Sequence, residues 1–336
     1  MLKRILYLGY YLKQLEKDKY VLFLNYAANK SKKSKLRLIL DSFYSVFRYN
    51  ISLLEYFQFR FFEKDHNERL KWAGTGFMYE YQLKMNPKDK RDILDDKRKF
   101  YKYYGKFIKH LSADVQNLKD DDYLVKRILS NPSGKIVFKV YDGKCGRKIL
   151  IKSVNDFDEE SLIHFMINNE YDLVEEYIIQ HPELLNLSPS AVNTIRIFTQ
   201  LNKQNKVEIL GCRLRISINK SVDNMAAGNI AAPINEKTGI VIGPGVYSDI
   251  TKPQEKIHPV TQKPIEGFKV PFWKETLQLA TDAALLFKQN RSIGWDIAIT
   301  EYGPDLIEGN HDWCKLLWQL PVNKGMKDVL IKYLSD

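Results

Sequence analysis

The sequence predicts an α+β protein in which a helical N-terminal region precedes two β-rich segments. Up to about residue 62, apolar and aromatic residues recur at helical spacing with lysines between them. From Lys135 onward the pattern changes to short β-rich runs, and two apolar strands joined by a Gly303-Pro304 turn follow between 294 and 310. The length of 336 residues allows one large or two to three smaller folding units.

Residues 1–85 are expected to form a basic, aromatic-rich helical region with a break at the Ser-Lys run of residues 31–35. Up to Asp41, ten lysines and arginines stand against three acidic residues, and the whole chain has a net charge of +11. Such a region attracts an anionic surface, whether membrane, glycan or nucleic acid. Basic and aromatic residues together on a helix permit peripheral membrane contact, although such aromatics more often pack inside the protein.

The sequence contains no pattern that predicts export or a membrane span. No segment approaches the roughly 20 apolar residues that a spanning helix needs, and the first residues lack the apolar core and cleavage site of a secretion signal. Cys145, Cys212 and Cys314 are odd in number and widely spaced, which favours reduced thiols. We therefore expect a cytoplasmic protein, with the inner face of the membrane as an option for the basic region.

Three further segments follow the helical region. Residues 86–130 are predicted to be a helical lead-in, with a charged helix over about 89–110 after Pro87. Residues 131–180 contain predicted strands at 135–141, 148–152 and 173–179 and a helix at about 159–167. Residues 181–336 contain predicted strands at 194–201, 207–217 and 240–242, a helix at 272–289 and the closing strand pair.

The closing strand pair carries the clearest candidate site. Side chains two apart on a strand share a face, so Glu308 and Asn310 should emerge together beside Asp296 on the neighbouring strand. Oxygen ligands of this kind suit Mg²⁺, which commonly takes one or two protein carboxylates while substrate phosphates complete its shell. The alternative is a hairpin edge whose polar residues discourage pairing with other strands.

Two weaker candidates lie in the 131–180 segment. The turn at 142–147 is not a P-loop, but a strand-turn-strand flap with Lys139, Lys144 and Arg147 could cover phosphates; an Asp-Gly hairpin turn explains it equally simply. Glu175 and Glu176 stand inside an apolar strand. Since a buried carboxylate is costly unless it is paired, one of them should meet a lysine or a ligand hydroxyl, unless it faces outward.

Arginines recur on the strands of the last segment. Arg196 lies on one predicted strand, and Arg213 and Arg215 lie on one face of the next. Arginines in this arrangement make a fork-shaped site for phosphate or carboxylate, with a solvated strand face as the alternative. The small, polar stretch at 223–233 predicts a loop that folds over a substrate.

The serial order of these motifs resembles the ATP-grasp superfamily, specifically its sugar-transfer-associated branch, which is linked to bacterial surface polysaccharide synthesis. The resemblance extends over about 95–313 and is most specific in 193–197, 223–233 and 294–310. The layout is also similar to that of ribosomal-protein glutamate ligases. The resemblance implies an ATP-grasp fold, in which a small β-rich lid subdomain at 131–180 and a larger antiparallel-sheet subdomain at 181–336 enclose ATP.

The resemblance also implies roles for individual residues. Lys97 and Lys139 match the two nucleotide-binding lysines of the fold, and the matching adenine hinge consists of Glu175, Glu176, Tyr177 and Ile178. Lys144 in the flap is expected to supply further charge to the nucleotide. Asp296, Glu308 and Asn310 match the Mg²⁺ site, and Arg196 with Arg213 or Arg215 matches positions that stabilise the transferred phosphoryl group. The chain departs from the usual pattern where Lys144-Cys-Gly-Arg replaces a longer run of small residues, and where His311 replaces an acidic residue.

The implied activity is ATP-dependent, Mg²⁺-dependent ligation of a carboxylate to an amine through an acyl phosphate. The carboxylate would be a hexuronic-acid sugar or nucleotide sugar, and the amine an amino acid or amino sugar, joined in capsule or lipopolysaccharide synthesis. A second hypothesis is a nucleotide-binding regulatory subunit of a glycan assembly complex. A third is nucleic-acid binding through the basic surface, but the sequence has no recognisable reading motif, so no specific nucleic-acid partner is expected.

Overall fold

Two antiparallel sheets follow a layer of N-terminal helices in the computed structural model, which describes residues 2–141, 143 and 149–335. The N-terminal helices are α1 (Leu2–Lys13), α2 (Lys17–Ser31), α3 (Lys35–Tyr49), α4 (Leu53–Gln58), α5 (His66–Leu70) and α6 (Thr75–Met85). The predicted break falls between α2 and α3, where Ser34 caps α3 by accepting a hydrogen bond from the Arg37 amide. Within the described residues, no helix is both long and apolar enough to cross a membrane.

Most of the predicted N-terminal aromatics pack inside the protein. Tyr56, Phe57, Phe59, Phe61 and Phe62 are almost fully buried in one core with residues of α2 and α3. Their edge-to-face and tilted ring contacts add to the apolar area that they bury. For these five side chains, internal packing is therefore the correct interpretation.

The predicted helix at 89–110 is interrupted in the structure. It forms α7 (Asp92–Asp95) and α8 (Lys97–Tyr104), because the Asp96 side chain accepts a hydrogen bond from the Arg98 amide and caps a new helix. A short strand, β1 (Ser112–Asp114), and the helices α9 (Val115–Asp120) and α10 (Asp122–Leu129) follow. β1 lies in the 86–130 segment, which the sequence predicted to be helical. It could not be recognised from the sequence, because three residues are too few to show the two-residue alternation of a strand.

The small sheet has the strand order β1-β4-β2-β3. Its other members are β2 (Lys135–Lys139), β3 (Leu150–Ser153) and β4 (Leu173–Glu176), and α11 (Glu159–Asn168) packs against it. Val137 lies opposite Glu175 in the antiparallel register of β2 and β4. β4 ends at Glu176, three residues before the end of the strand predicted at 173–179.

The large sheet has the strand order β7-β6-β5-β8-β9. Its strands are β5 (Thr194–Leu201), β6 (Val207–Ile216), β7 (Ile230–Ile234), β8 (Ser292–Thr300) and β9 (Gly303–Asn310), and the other helices of this region are α12 (Pro182–Leu187), α13 (Trp273–Leu286), α14 (Lys315–Gln319) and α15 (Lys327–Leu334). Helix α13 packs on one face with Ile195 and Ile297. On the opposite face, Phe198 packs with Trp313 and Trp318.

Two predictions for this region need correction. The loop expected at 223–233 is wrong for its second half, where the small residues before Ile234 form β7, whose backbone pairs with β6. Pro233 is tolerated because β7 is an edge strand. The strand expected at 240–242 consists instead of isolated bridges, with Ile240 opposite Lys269 and Val241 opposite Ile234.

Candidate active site

A row of charged residues crosses four strands of the large sheet. In the strand register, Arg213 of β6 lies opposite Arg196 of β5, Arg196 opposite Asp296 of β8, and Asp296 opposite Glu308 of β9. Because side chains two apart share a face, Asn310 and Arg215 project on the same side as this row. The sheet therefore brings the three candidate metal ligands and the candidate arginines onto one face, and a β-bulge between Asp296 and Ile297 sets Glu308 opposite Asp296.

Arg196 and Arg215 converge on Asp296, whose side chain is 2% exposed. Arg196 Nε and Nη2 donate to the Asp296 carboxylate at 2.5 and 2.7 Å, and Arg215 Nη1 donates to Asp296 Oδ2 at 2.7 Å. Burial alone would raise the pKa of Asp296, but the two guanidinium groups outweigh it and hold that pKa well below its ordinary value. Asp296 is therefore a stable, buried anion.

Asp223 provides a second anion for Arg215. Its Oδ1 lies 2.7 Å from Arg215 Nη2, and its Oδ2 accepts hydrogen bonds from the Thr194 amide at 2.8 Å and from the Thr194 hydroxyl at 2.6 Å. Burial raises the pKa of this carboxyl in spite of the nearby arginine. Both ends of the Arg215 guanidinium are thus fixed by carboxylates.

Glu308 and Asn310 complete a set of oxygen-bearing side chains beside Asp296. Burial and the adjacent Asp296 carboxylate raise the pKa of Glu308, as expected for a carboxyl group beside a like charge. Asn310 Nδ2 donates to Glu308 Oε1 at 3.1 Å. The described residues contain no cluster of three or more His, Cys, Asp or Glu side chains arranged for a metal. Two carboxylates and one amide are nevertheless a fitting protein share of an Mg²⁺ shell that phosphates complete.

Gly294, which lies opposite Asn310 in the strand register, allows the segment after β9 to pass close to these site residues. A Cβ built on Gly294 would come within 2.7 Å of Trp313 Cβ and 3.2 Å of Arg196 Cδ. Two side-chain amides hold the segment after β9 in place: Asn86 Nδ2 donates to the His311 carbonyl at 2.9 Å, and Gln82 Nε2 donates to the Trp313 carbonyl at 2.9 Å. Gly294 is therefore required for close packing.

A cavity of about 560 Å³ lies over the charged row, within the usual size range of ligand pockets. The small sheet and its neighbours contribute Lys97, Lys139, Gly143 and Ile149, and the large sheet contributes Thr194, Arg196, Arg215, Asp296, Glu308 and Asn310. The remaining wall comes from the N-terminal helices, from the loop at 222–226 with Ser248, and from the segment at 311–317. It includes Glu16, Lys19, Ser52, Glu55, Gln58 and Lys315. The cavity thus lies between three parts of the chain.

The two candidate lysines reach the cavity from different elements. Lys97 is the first residue of α8, and its Nζ donates to the Gly143 carbonyl at 2.5 Å. Lys139 ends β2 and pairs with Glu175, so Glu175 is the carboxylate that meets a lysine. Although burial would raise the pKa of Glu175, Lys139 and His110 lower it. A hydrogen bond from Tyr101 further fixes Glu175.

The rest of the candidate hinge lies apart from the cavity. Tyr177 and Ile178 line a separate hollow of about 200 Å³ together with Lys135. The amides of Glu176 and Tyr177 donate to the carbonyls of Leu111 and Lys135 at 2.9 and 3.1 Å. An adenine at this hinge would therefore have to use hinge carbonyls or the Ile178 amide.

Two other candidates need separate comment. Lys144, with the neighbouring Cys145 and Arg147, lies outside the described residues. Arg213 is 2% exposed and lies outside the set that lines the cavity. Its Nη2 donates to the Trp318 carbonyl at 2.5 Å and its Nη1 to the Cys212 carbonyl at 2.7 Å, and burial lowers its pKa to about 10. This placement corrects the expectation of a substrate contact, because strand alternation predicts the face of a side chain but not the partner that it reaches.

Sequence reasoning missed one ion pair of the cavity wall. Glu55 Oε1 lies 3.0 Å from Lys315 Nζ, and the pair joins α4 to the start of α14. The only local signal is the Ser52-x-x-Glu55 pattern of a helix capping box, which the structure confirms. Nothing in that pattern indicates a partner so distant in the sequence.

Residues 77–333 match the protein family described as "Sugar-transfer associated ATP-grasp". No curated protein sequence matches the chain. Among solved structures, the ATP-grasp ligase PsnB with its minimal precursor gives a TM-score of 0.45 at 8% identity, covering 75% of this chain and 62% of that one.

Two further solved structures give similar values. An L-amino acid ligase from Bacillus licheniformis has a TM-score of 0.42 at 12% identity, with coverages of 72% and 48%. A biotin carboxylase from Campylobacter jejuni has a TM-score of 0.43 at 13% identity, with coverages of 72% and 46%. This chain spans 62% of the first of these structures and about half of the other two.

Proposed function

The chain belongs to the sugar-transfer associated ATP-grasp family, and from that premise we propose that it is an ATP-dependent ligase that joins a carboxylate to an amine. The family match and the mixed helical and antiparallel-sheet architecture confirm the resemblance and the α+β fold that the sequence predicted. The observation that carries the proposed activity is the charged row of Arg196, Asp296 and Glu308, which faces Lys97 and Lys139 across one cavity.

In the proposed reaction, a substrate carboxylate oxygen attacks the γ-phosphorus of ATP, and the bond to the β-phosphate oxygen breaks to release ADP. The amine then attacks the acyl carbon, loses a proton and displaces inorganic phosphate, which leaves an amide. Mg²⁺ held by Asp296, Glu308 and Asn310 would neutralise charge on the phosphate oxygens. In this proposal Lys97 and Lys139 bind the phosphates, and the ion pair with Glu175 orients Lys139.

Arg196 and Arg215 are the proposed contacts of the substrate carboxylate and of the acyl-phosphate oxygens. In the structure they neutralise Asp296, so a cation beside Asp296 would compete with them for the same carboxylate oxygens. Guanidinium groups released in this way could form charge-assisted hydrogen bonds to a carboxylate or phosphate. Their position at the cavity wall supports this role.

The finer parts of the proposal concern substrates and location. We propose a hexuronic-acid sugar or nucleotide sugar as the carboxylate and an amino acid or amino sugar as the amine, in capsule or lipopolysaccharide synthesis. The support is the sugar-transfer association in the family description. We also propose a cytoplasmic location, with contact to the inner face of a membrane or to a glycan-assembly complex through residues 1–85.

The test is release of ADP from Mg-ATP by purified protein with a matrix of uronic-acid sugars, free and nucleotide-linked, against amino acids and other amines. We expect ADP release that requires both substrates and disappears in Glu308→Ala. The control is Lys332→Met, which should retain full turnover because Lys332 is an exposed residue of α15 outside the cavity wall. Tight Mg-ATP binding without turnover across the matrix would instead favour the regulatory-subunit hypothesis.

A further inference from the structure

The outer faces of α1 and α3 expose an unusual amount of apolar surface. On α3, Leu36 and Leu40 are 68% and 63% exposed, and Tyr44 and Phe47 continue the same helical stripe. On α1, the exposed apolar residues are Ile5, Leu6, Tyr10 and Leu12. Scattered apolar residues on a surface are ordinary, but a group of this size on two adjacent helices marks an interaction site.

The two groups of exposed apolar residues lie on neighbouring helices, because α1 and α3 pack on each other. Tyr11 of α1 lies in a common core with Val46 of α3, and Tyr7, Leu8 and Phe43 pack around it. The inward faces of the two helices are therefore already satisfied by the protein. The outward stripes, which we call the α1/α3 face, are left to another partner.

The exposed charged residues of α1 and α3 are all basic, although Glu80 of α6 accepts a hydrogen bond from the Tyr7 hydroxyl of α1 at 3.0 Å. Arg37 and Arg48, three helical turns apart, follow one edge of the α3 stripe, and Lys3 and Lys13 are exposed on α1. Helix α1 contains no acidic residue. The single acidic residue of α3, Asp41, turns inward and pairs with Arg69 at 2.8 Å. An apolar face rimmed by cations complements a layer of lipid tails beneath anionic headgroups.

We propose that the α1/α3 face binds the surface of a bilayer that contains anionic phospholipid. This inference rests on the membrane contact included in the proposed function, and it specifies the helices, the side chains and the lipid chemistry. The leucine and aromatic side chains enter the headgroup and acyl boundary, while the lysines and arginines remain at the phosphate level. Glu16 and Lys19, which follow α1, line the large cavity, so the docked face lies next to the cavity wall.

Sedimentation with vesicles tests this inference without any turnover. The probes are vesicles of phosphatidylglycerol and phosphatidylcholine in equal parts and vesicles of phosphatidylcholine alone. We expect the protein to bind the anionic vesicles and to bind the neutral ones much more weakly. Leu36→Asp with Leu40→Asp should reduce affinity for anionic vesicles at least about tenfold, because burial of each leucine contributes on that order. Arg37→Glu with Arg48→Glu should reduce affinity for anionic vesicles selectively.

The control is Ile242→Asp with Tyr302→Asp, which changes two exposed apolar residues (55% and 85%) outside the N-terminal helices and should leave vesicle binding unchanged. Circular dichroism and Mg-ADP binding establish that each variant is folded. Binding that is absent in the wild type, or equal in the leucine variant, would overturn the inference. So would a wild-type dimer in light scattering that ignores vesicles and dissociates in the leucine variant, since a second copy would then cover the face. Failure here leaves the ligase proposal intact, because that proposal is measured by ADP release.

Discussion

Replacing Lys315 by Met should destabilise the fold by stranding a buried carboxylate at the cavity wall. Glu55 is 1% exposed and accepts hydrogen bonds from the Ser52 amide at 2.7 Å, from the Thr75 amide at 2.9 Å and from the Thr75 hydroxyl at 2.7 Å. Burial alone would raise the pKa of Glu55, but Lys315 and these donors hold it below its ordinary value. Lys315 supplies the only full positive charge of this arrangement.

The magnitude follows from what remains after the substitution. Removal of one partner of a buried ion pair costs about 3–5 kcal/mol. Three neutral donors to Glu55 survive, and the Lys315 side chain is 22% exposed in the folded state, so we expect the lower end, a loss of about 3 kcal/mol in the free energy of unfolding. Lys332→Met is the matched control. Its partner Glu208 is equally close at 2.8 Å, but Lys332 is 57% exposed, and such pairs contribute at most about 1 kcal/mol.

Urea unfolding of the wild type, the two lysine variants, Glu55→Gln and the double variant Glu55→Gln/Lys315→Met provides the measurement. A neutral glutamine at position 55 leaves no buried charge unpaired. In the Glu55→Gln protein, Lys315→Met should therefore lower the free energy of unfolding by about 2 kcal/mol less than it does in the wild type. Because the folded pKa of Glu55 is depressed, its stabilisation is complete above the ordinary glutamate pKa and is lost as pH falls through the lower, folded value. The difference in free energy of unfolding between the wild type and Lys315→Met should therefore become smaller on acidification. An equal cost in both backgrounds, or a cost no greater than that of Lys332→Met, would refute this reasoning.

Three further predictions concern the cavity. Lys139→Met should weaken ADP binding at least about tenfold in calorimetry, because a charge-assisted contact to phosphate is lost; unchanged affinity would remove Lys139 from the nucleotide site. Arg213→Met should lower the free energy of unfolding by about 2 kcal/mol or more, because two buried carbonyls lose their donors. Its Mg-ADP affinity should stay within about twofold of the wild-type value. A large loss of affinity would instead indicate that Arg213 contacts a substrate. Mg²⁺ affinity should fall on acidification already above the ordinary glutamate range, because Glu308 must lose its proton and its pKa is raised, and a pH-independent affinity would contradict its role as a ligand.

The strand residues of the site could be predicted because their pattern is local. The alternation of Glu308 and Asn310 is enough to place both residues on one face of their strand. The turn at Gly303 alone would set Ile307 opposite Asp296, and a β-bulge between Asp296 and Ile297 shifts the register so that Glu308 lies there instead. The interruption of the 89–110 helix was less accessible, because an aspartate within a charged run reads equally as a helix residue or as a cap. The strand residues 230–233 fall within the predicted loop, because small residues and Pro233 weaken the strand pattern.

Side-chain partners and long-range contacts could not be predicted in the same way. The strand pattern places Arg213 and Arg215 on one face, but only the packing of Trp318 decides that the first binds backbone carbonyls while the second binds Asp296. The contact between Glu55 and Lys315 depends on how the N-terminal helices dock on the segment after β9. No single stretch of sequence encodes that docking, and the N-terminal wall of the cavity was missed for the same reason.

The central claim is that Asp296, Glu308 and Asn310 hold the metal of a metal-nucleotide complex in this cavity. Its most direct test is calorimetric titration of the wild type and Glu308→Ala with a non-hydrolysable ATP analogue, each with and without Mg²⁺. We expect Mg²⁺ to tighten binding of the analogue to the wild type at least about tenfold and to have little effect on its binding to Glu308→Ala. Equal enhancement by Mg²⁺ in both proteins would contradict the account and would move the metal site elsewhere in the chain.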